Sequence, residues 1–283
     1  MNSFELVVPE TAEEAVAALQ ALAPGEAAPI AGGTDLLIDV DEGRVAPRRV
    51  ISLRRLPWKT LDWNAGALTV GSTLPLRSLE EDPQVRVSYP GLYQAVRAVG
   101  SVALRHRATL GGNLVRSAPA SDLVPVLLSL DAEVDLVGPS GDRRVPVDRF
   151  VQASRRTDLR PGELVRSVYL PEARPSAFLW QRVRPSNDIS QVAVAVAFSP
   201  AQRRWKVAVG GVTPRPTLLP EASDVLGSGR PTSSEVRRAS EIAASRAAFV
   251  TDRRASEEYR RHLVATLLER AVGSAVNGGR FPA

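Results

Sequence analysis

The stretch Ala28–Val40, "APIAGGTDLLIDV", carries the first decision. A short apolar run meets Gly32-Gly33, passes through Thr34-Asp35, and becomes apolar again. Two readings compete. The glycines either form an ordinary turn into a helix, or let backbone N–H groups come close to an anion. The surroundings favour a strand–turn–helix unit. "SFELVVP" reads as a strand. "ETAEEAVAALQALAPG" reads as a helix with a Thr11–Glu14 capping box and a Pro24-Gly25 stop. "APIAG" is a second strand, "TDLLIDVDEG" a helix from Thr34, and "RRVISL" a third strand. This alternation predicts a small α/β lobe over residues 1–54.

A second apolar–Gly–Gly–polar step, Leu110-Gly111-Gly112-Asn113, lies inside "RHRATLGGNLVRSAPASDLVPVLLSLDAEV", Arg105–Val134. Small residues then lead into a buried helix near Asp122. Thr34 and Thr109 can add hydroxyl donors, and Asn113 offers a donor and an acceptor. Asp122 has the wrong charge for a phosphate. It suits a sugar hydroxyl or a flavin N–H, or simply a helix N-cap. Neither glycine pair is a G-x-G-x-x-G fingerprint, and neither is followed by Gly-Lys-Ser/Thr. The residues alone therefore reach two phosphate-binding segments in two lobes, with a pair of plain turns as the alternative.

The second region, to residue 173, contains the strand "ALTVGS", the helices "PLRSLEED" and "PGLYQAVRAVG", the hairpin "EVDLVGPSGDRRVPV" and the strand "GELVRSVYLP". Proline-rich "PEARPS" then marks a boundary. Three strands follow in succession, "AFLWQRVRP", "ISQVAVAVAFS" and "RWKVAVGGV", with "PAQR" turning between the last two. Two amphipathic helices close the chain, and Tyr259, Leu263, Leu267 and Ala271 share a face of the last. These make a third unit over 174–283.

Composition narrows the function. The 283 residues contain no cysteine, which excludes disulfides, thiolate-held clusters and a cysteinyl flavin. His106 and His262 are the two histidines, so a histidine-rich metal site is excluded, and no dense carboxylate cluster replaces it. No acid, base or nucleophile stands out as catalytic. The net charge of +5 is carried almost wholly by arginine, with Lys59 and Lys206 the two lysines. The arginines alternate with acids, as in "SEVRRASEIAASR", and this reads as solvated helix faces rather than a nucleic-acid surface. No apolar run reaches the length of a membrane span, and "MNSFELVVPE" does not read as a signal peptide. The expected location is the cytoplasm.

"IAGGTDLL", followed by "ATLGGNLVRSAPASDLVPVLLSLDAEV", resembles the FAD-binding medium subunits of the molybdenum hydroxylases, the carbon monoxide and xanthine dehydrogenase type. The resemblance extends over the whole chain and includes "RPSNDISQVAVAV". It implies an α+β protein: a two-lobed FAD-binding domain of the vanillyl-alcohol-oxidase (PCMH) type, plus a C-terminal α+β domain with a three-stranded antiparallel sheet and helices. FAD, held non-covalently, would lie between the lobes. By this resemblance Ile30, Ala31, Gly32, Gly33, Thr34, Asp35 and Leu36 wrap the pyrophosphate, and Thr109, Gly112 and Asn113 hold its other side. Asp122 meets the sugar or adenosine part, Val165 an aromatic ring of the cofactor, and Ser101 the neighbourhood of the isoalloxazine. Many members carry a lysine near the flavin where this chain reads Trp180-Gln181-Arg182-Val183-Arg184. Arg182 or Arg184 replaces it, or the flavin lacks that cation; Trp180 otherwise reads as a core aromatic. The implied partners are a large molybdopterin subunit and a small [2Fe-2S] subunit, and the electron acceptor is NAD, a quinone or oxygen. The alternatives are a standalone flavoenzyme and a scaffold that has lost FAD.

Overall fold

A parallel three-stranded sheet opens the computed structural model, which describes residues 3–184 and 187–278. Met1, Asn2, Pro185, Ser186 and 279–283, which the sequence reading assigns to the first lobe and the third unit, lie outside the described residues. The sheet runs in the order Glu5–Val7, Arg49–Ser52, Ala27–Ile30. Parallel neighbours need crossovers, and the helix Ala12–Gln20 supplies the first. Thr11 caps it by accepting the Glu14 N–H at 3.2 Å. The Glu14 carboxylate reaches Glu10 N–H at 2.9 Å rather than that of Thr11, so the expected capping box is displaced by one residue. The helix expected from Thr34 begins at Leu36 and ends at Asp41; Thr34 and Asp35 form the turn before it.

The second sheet is antiparallel, in the order Leu61–Asn64, Ala67–Gly71, Leu164–Leu170, Glu133–Val137, Arg143–Pro146. The predicted hairpin pairs Glu133 with Pro146 and Leu136 with Arg143. The helices Pro90–Ala98 and Leu123–Ser129 share its core, and every residue of the latter is buried.

The third sheet runs Ser176–Gln181, Val192–Ser199, Arg204–Gly210, Thr217–Leu218. The expected three strands are therefore joined by a fourth, two residues long, too short to carry a periodic signal. All eight residues of Val192–Ser199 are buried because both faces are covered. Ala193, Ala195 and Ala197 face the core of the second lobe, where the small side chain lets that lobe's buried helix come close. Val192, Val194, Val196 and Phe198 face Val264, Leu268 and Ala271 of the helix Glu257–Gly278. Each buried valine contributes roughly 1.5–3 kcal/mol to the third unit's own core, while the alanine face of the same strand joins that unit to the second lobe. On that last helix Leu267 and Ala271 are buried as expected, whereas Tyr259 is exposed and Arg260, Val264 and Leu268 complete the stripe. The stretch Pro171–Ser176 is not loose: buried Arg174 pairs with Asp131 at 2.7 Å, and Ser176 accepts the Gly91 N–H at 3.1 Å.

Candidate functional site

The first glycine pair follows directly on the strand Ala27–Ile30. Among the described residues, the N–H groups of Gly32, Gly33, Thr34, Asp35 and Leu36 donate to no protein acceptor. Five successive peptide donors in a half-buried turn are thus left without a protein acceptor, a set suited to oxyanions. The two glycines have different causes. Gly33 has φ +79, the left-handed region that favours glycine. Gly32 has no such dihedral. A Cβ there would stand 2.6 Å from the Arg107 carbonyl carbon and nearer still to its oxygen. Its close approach is therefore to the second lobe's backbone, not to a ligand.

The second glycine pair is not the turn that the sequence suggested. Gly111 and Gly112 lie in the first turn of the helix Leu110–Arg116, and neither has positive φ. Thr109 opens the helix, its hydroxyl accepting the Gly112 N–H at 3.0 Å. Gly111 is required by packing, since a Cβ would fall 2.6 Å from Ser72 Cβ and 2.9 Å from the Ser72 carbonyl oxygen. Gly112 is exposed, and a Cβ there meets only Thr109 Oγ1, at 3.1 Å. Of the four glycines, Gly112 is the one that opens onto free space. Nearby, the buried hydroxyls of Ser72 and Thr73 have no protein partner. Orphaned buried hydroxyls are uncommon and call for a partner that the protein does not itself supply, such as a water, an ion or a ligand atom. Asn113 Oδ1 accepts from Ser121 Oγ at 2.6 Å, so one end of that amide is already engaged.

Sequence reading missed the clamp that joins the two segments. Asp39, on the helix Leu36–Asp41, is buried and receives three guanidinium groups: Arg44 at 2.5 Å, Arg155 at 3.2 Å, and Arg116. Arg116 ends the helix that carries Gly112, and its Nε also meets Asp35 at 3.2 Å. Burial pushes the Asp39 carboxyl up, but hydrogen bonds from Arg116 and Arg44 and the charges of Arg116 and Arg155 outweigh it, bringing it to about 2. An acid inside the apolar run "LLIDV" is the one signal that the sequence offers.

The remaining candidates divide. Asp122 stands at the start of the buried helix Leu123–Ser129 but caps nothing; Ser121 Oγ accepts the Val124 N–H instead. Asp122 binds Arg182 at 2.7 Å and Ser190 Oγ at 2.6 Å, so both carboxylate oxygens already have protein partners. Burial raises its pKa, against the opposing charge of Arg182. Arg182 also donates to the Ala98 carbonyl at 2.6 Å and stacks over Trp180, which lies against Phe178. Its charge is thereby committed to Asp122. Arg184 is exposed, and its contacts fall on Asn187 and Asp188 within its own loop. Ser101 caps the short helix Val102–Arg105 by accepting Leu104 N–H at 3.2 Å. Buried Arg105 grips the Arg97 and Val99 carbonyls, so the loop through Gly100 and Ser101 is held from both sides. Val165 lies in the core of the second lobe, opposite Leu136. The structure thus brings residues 30–36 beside Thr109, Gly112 and Asn113, and places Ser101, Asp122 and Arg182 in a second group. His106 is exposed. Among the described residues there is no cluster of metal-ligating side chains and no helix long and apolar enough to cross a membrane.

Residues 2–173 match the family model of the FAD-binding domain in molybdopterin dehydrogenase, and residues 178–275 that of the carbon monoxide dehydrogenase flavoprotein C-terminal domain. The chain is 30% identical over 251 residues to the nicotine 6-hydroxylase medium subunit of Paenarthrobacter nicotinovorans, covering 87% of this chain and 88% of that one. Quinoline 2-oxidoreductase from Pseudomonas putida 86 superposes with a TM-score of 0.89 at 25% identity, covering 98% of each chain. Carbon monoxide dehydrogenase from Hydrogenophaga pseudoflava gives 0.90 at 23% identity, covering 99% of each, a likeness of fold. The unpaired N–H groups of residues 32–36 and the orphaned hydroxyls of Ser72 and Thr73 are a donor set that fits the diphosphate of FAD, and Gly112 leaves a bare surface for its approach. The chain belongs to the FAD-binding medium subunits of the molybdenum hydroxylases.

Proposed function

We propose that this chain relays electrons within a larger assembly. Its partners would be a large molybdopterin subunit, where substrate is oxidised, and a small [2Fe-2S] subunit. Its acceptor would be NAD, a quinone or oxygen, and its location the cytoplasm. The chain divides in this reading into FAD lobes over 1–54 and 55–173 and a flavoprotein domain over 174–283. One observation carries the proposal: five successive N–H groups without a protein acceptor lie where the first two lobes meet, with no acid–base pair beside them. Such a seam binds and holds a cofactor; it does not process a substrate of its own.

FAD, when bound, supplies the ability to take up electrons singly and give them up in pairs. The chain's own residues do the rest. The N–H groups from Gly32 to Leu36 would face one side of the diphosphate, with Thr34 adding its hydroxyl. Gly112, Thr109 and Asn113 would face the other. Ser101 would lie by the isoalloxazine, Val165 and Asp122 toward the rest of the cofactor. Arg184, free of any buried partner, is the better replacement for the family's lysine than Arg182, whose charge Asp122 already balances.

The test is co-purification with the products of neighbouring genes, followed by anaerobic addition of candidate substrates. A three-subunit complex whose flavin absorbance bleaches, while the isolated FAD-loaded chain stays oxidised, supports the relay. Turnover by the isolated chain would overturn it in favour of a standalone flavoenzyme.

A further inference from the structure

Three chain segments distant in sequence meet at Asp39. The helix Leu36–Asp41 belongs to the first lobe and begins directly after the glycine turn. Arg116 comes from the helix that carries Gly112. Arg155 comes from the turn between Val151–Ala153 and Arg156–Thr157, where its own backbone is left-handed at φ +58. That conformation is uncommon for a side-chain-bearing residue. The turn is tied to the same helix a second time, because Ser117, itself left-handed at φ +50, donates its hydroxyl to the Ala153 carbonyl at 2.7 Å.

The local charge is balanced. Arg44 also pairs with Glu42 and Arg116 with Asp35, so three cations face three carboxylates. A balanced cluster is a poor anion site, and its guanidinium groups are occupied. Ion pairs around one buried carboxylate are weak as glue but specific as geometry, since removing the partly exposed arginines leaves the buried charge of Asp39 unpaired.

We propose that Asp39 is a positioning residue for FAD: by gathering Arg44, Arg116 and Arg155 it holds the glycine turn at Gly32-Gly33 at a fixed distance from Gly112. The inference rests on the placement of the diphosphate between those two segments given above. Asp39 touches no part of the cofactor. It presets the gap, so that binding does not have to order the lobes.

The test measures FAD and ADP affinity for the full apo chain by fluorescence titration, well below the melting temperature, with apo melting curves alongside. Asp39→Asn should weaken FAD roughly tenfold, and ADP by the same factor, because the diphosphate is what the segments share. Arg155→Met, on the exposed side of the clamp, should weaken both roughly threefold with little change in melting. The double variant should match Asp39→Asn alone, because Arg155 acts through Asp39. A purely structural residue would lower melting and leave the affinity of the folded protein unchanged, and that result overturns the proposal. So do additive effects in the double variant, which would make Arg155 a direct contact. If Asp39→Asn does not fold, Arg155→Met decides, and unchanged affinity there refutes the clamp. A wild-type chain that binds neither FAD nor ADP overturns the diphosphate placement and this inference with it.

Discussion

Gly32 and Gly112, one from each glycine pair, have different surroundings in the structure, so alanine at each should give opposite results. At Gly32 the new Cβ would sit 2.6 Å from the Arg107 carbonyl carbon, inside the 3.0 Å that real Cβ atoms keep. Backbone lies on both sides, so the two lobes must move apart. Overpacking against backbone costs about 3 kcal/mol, the upper part of its usual range. In a chain of this size that lowers the melting temperature by roughly 6–12 °C. At Gly112 the new Cβ meets one hydroxyl oxygen at 3.1 Å and otherwise open space. Alanine is the better helix residue by about 1 kcal/mol, so the apo chain should melt unchanged or slightly higher. In the proposed placement of the diphosphate, however, the methyl would project where a ligand oxygen approaches. A misfit of that size costs on the order of 1–3 kcal/mol, roughly five- to hundredfold in Kd. Differential scanning fluorimetry of the apo chains and FAD titration separate the two effects. A Gly32→Ala chain that melts like wild type, or a Gly112→Ala chain that melts lower and binds FAD normally, refutes the reasoning.

Asp39 has a folded pKa of about 2, below its ordinary 3.8. Its contribution is therefore complete above about pH 4 and is lost as pH falls toward 2; melting curves between pH 6 and 2.5 should show wild type losing stability over this range more steeply than Asp39→Asn. Thr109→Ala removes the cap of the helix bearing Gly112 and should cost about 1 kcal/mol, read by urea unfolding. Asp122→Asn should destabilise more than Arg182→Met, because a buried guanidinium cannot shed its charge whereas Asp122, its pKa already raised by burial and opposed by Arg182, can take up a proton. Equal melting temperatures for that last pair would count against the assignment.

Local chemistry was legible in the sequence. Thr11 before an alanine-rich run and the alternation of "EVDLV" against "RRVP" each depend on a few adjacent residues, and the structure has both elements there. What was not legible depends on residues far apart. The second glycine pair reads as a turn because Gly-Gly is a poor helix start, yet Thr109 caps it and Ser72 leaves no room for a side chain at Gly111. Thr217–Leu218 is too short for a period of two to register. Asp122 carries no mark that Arg182, sixty residues on, will claim it. The Asp39 clamp needs Arg155 from another lobe, and no spacing rule links the two.

The glycines that drew attention to this chain therefore serve four different ends. Gly33 allows a left-handed turn, Gly32 lets one lobe touch the other, Gly111 seats a helix on Ser72, and Gly112 leaves a surface bare. Under the proposed placement of the diphosphate, only the last is directly a matter of ligand access. The other three build the seam, and the seam is what turns five idle N–H groups into a site. A chain that kept Gly112 and lost Gly32 would, on that placement, retain one wall of the diphosphate site and lose the other. The motif's requirement for glycine thus reflects lobe assembly more than contact with a cofactor, and the clamp at Asp39 belongs to that same assembly.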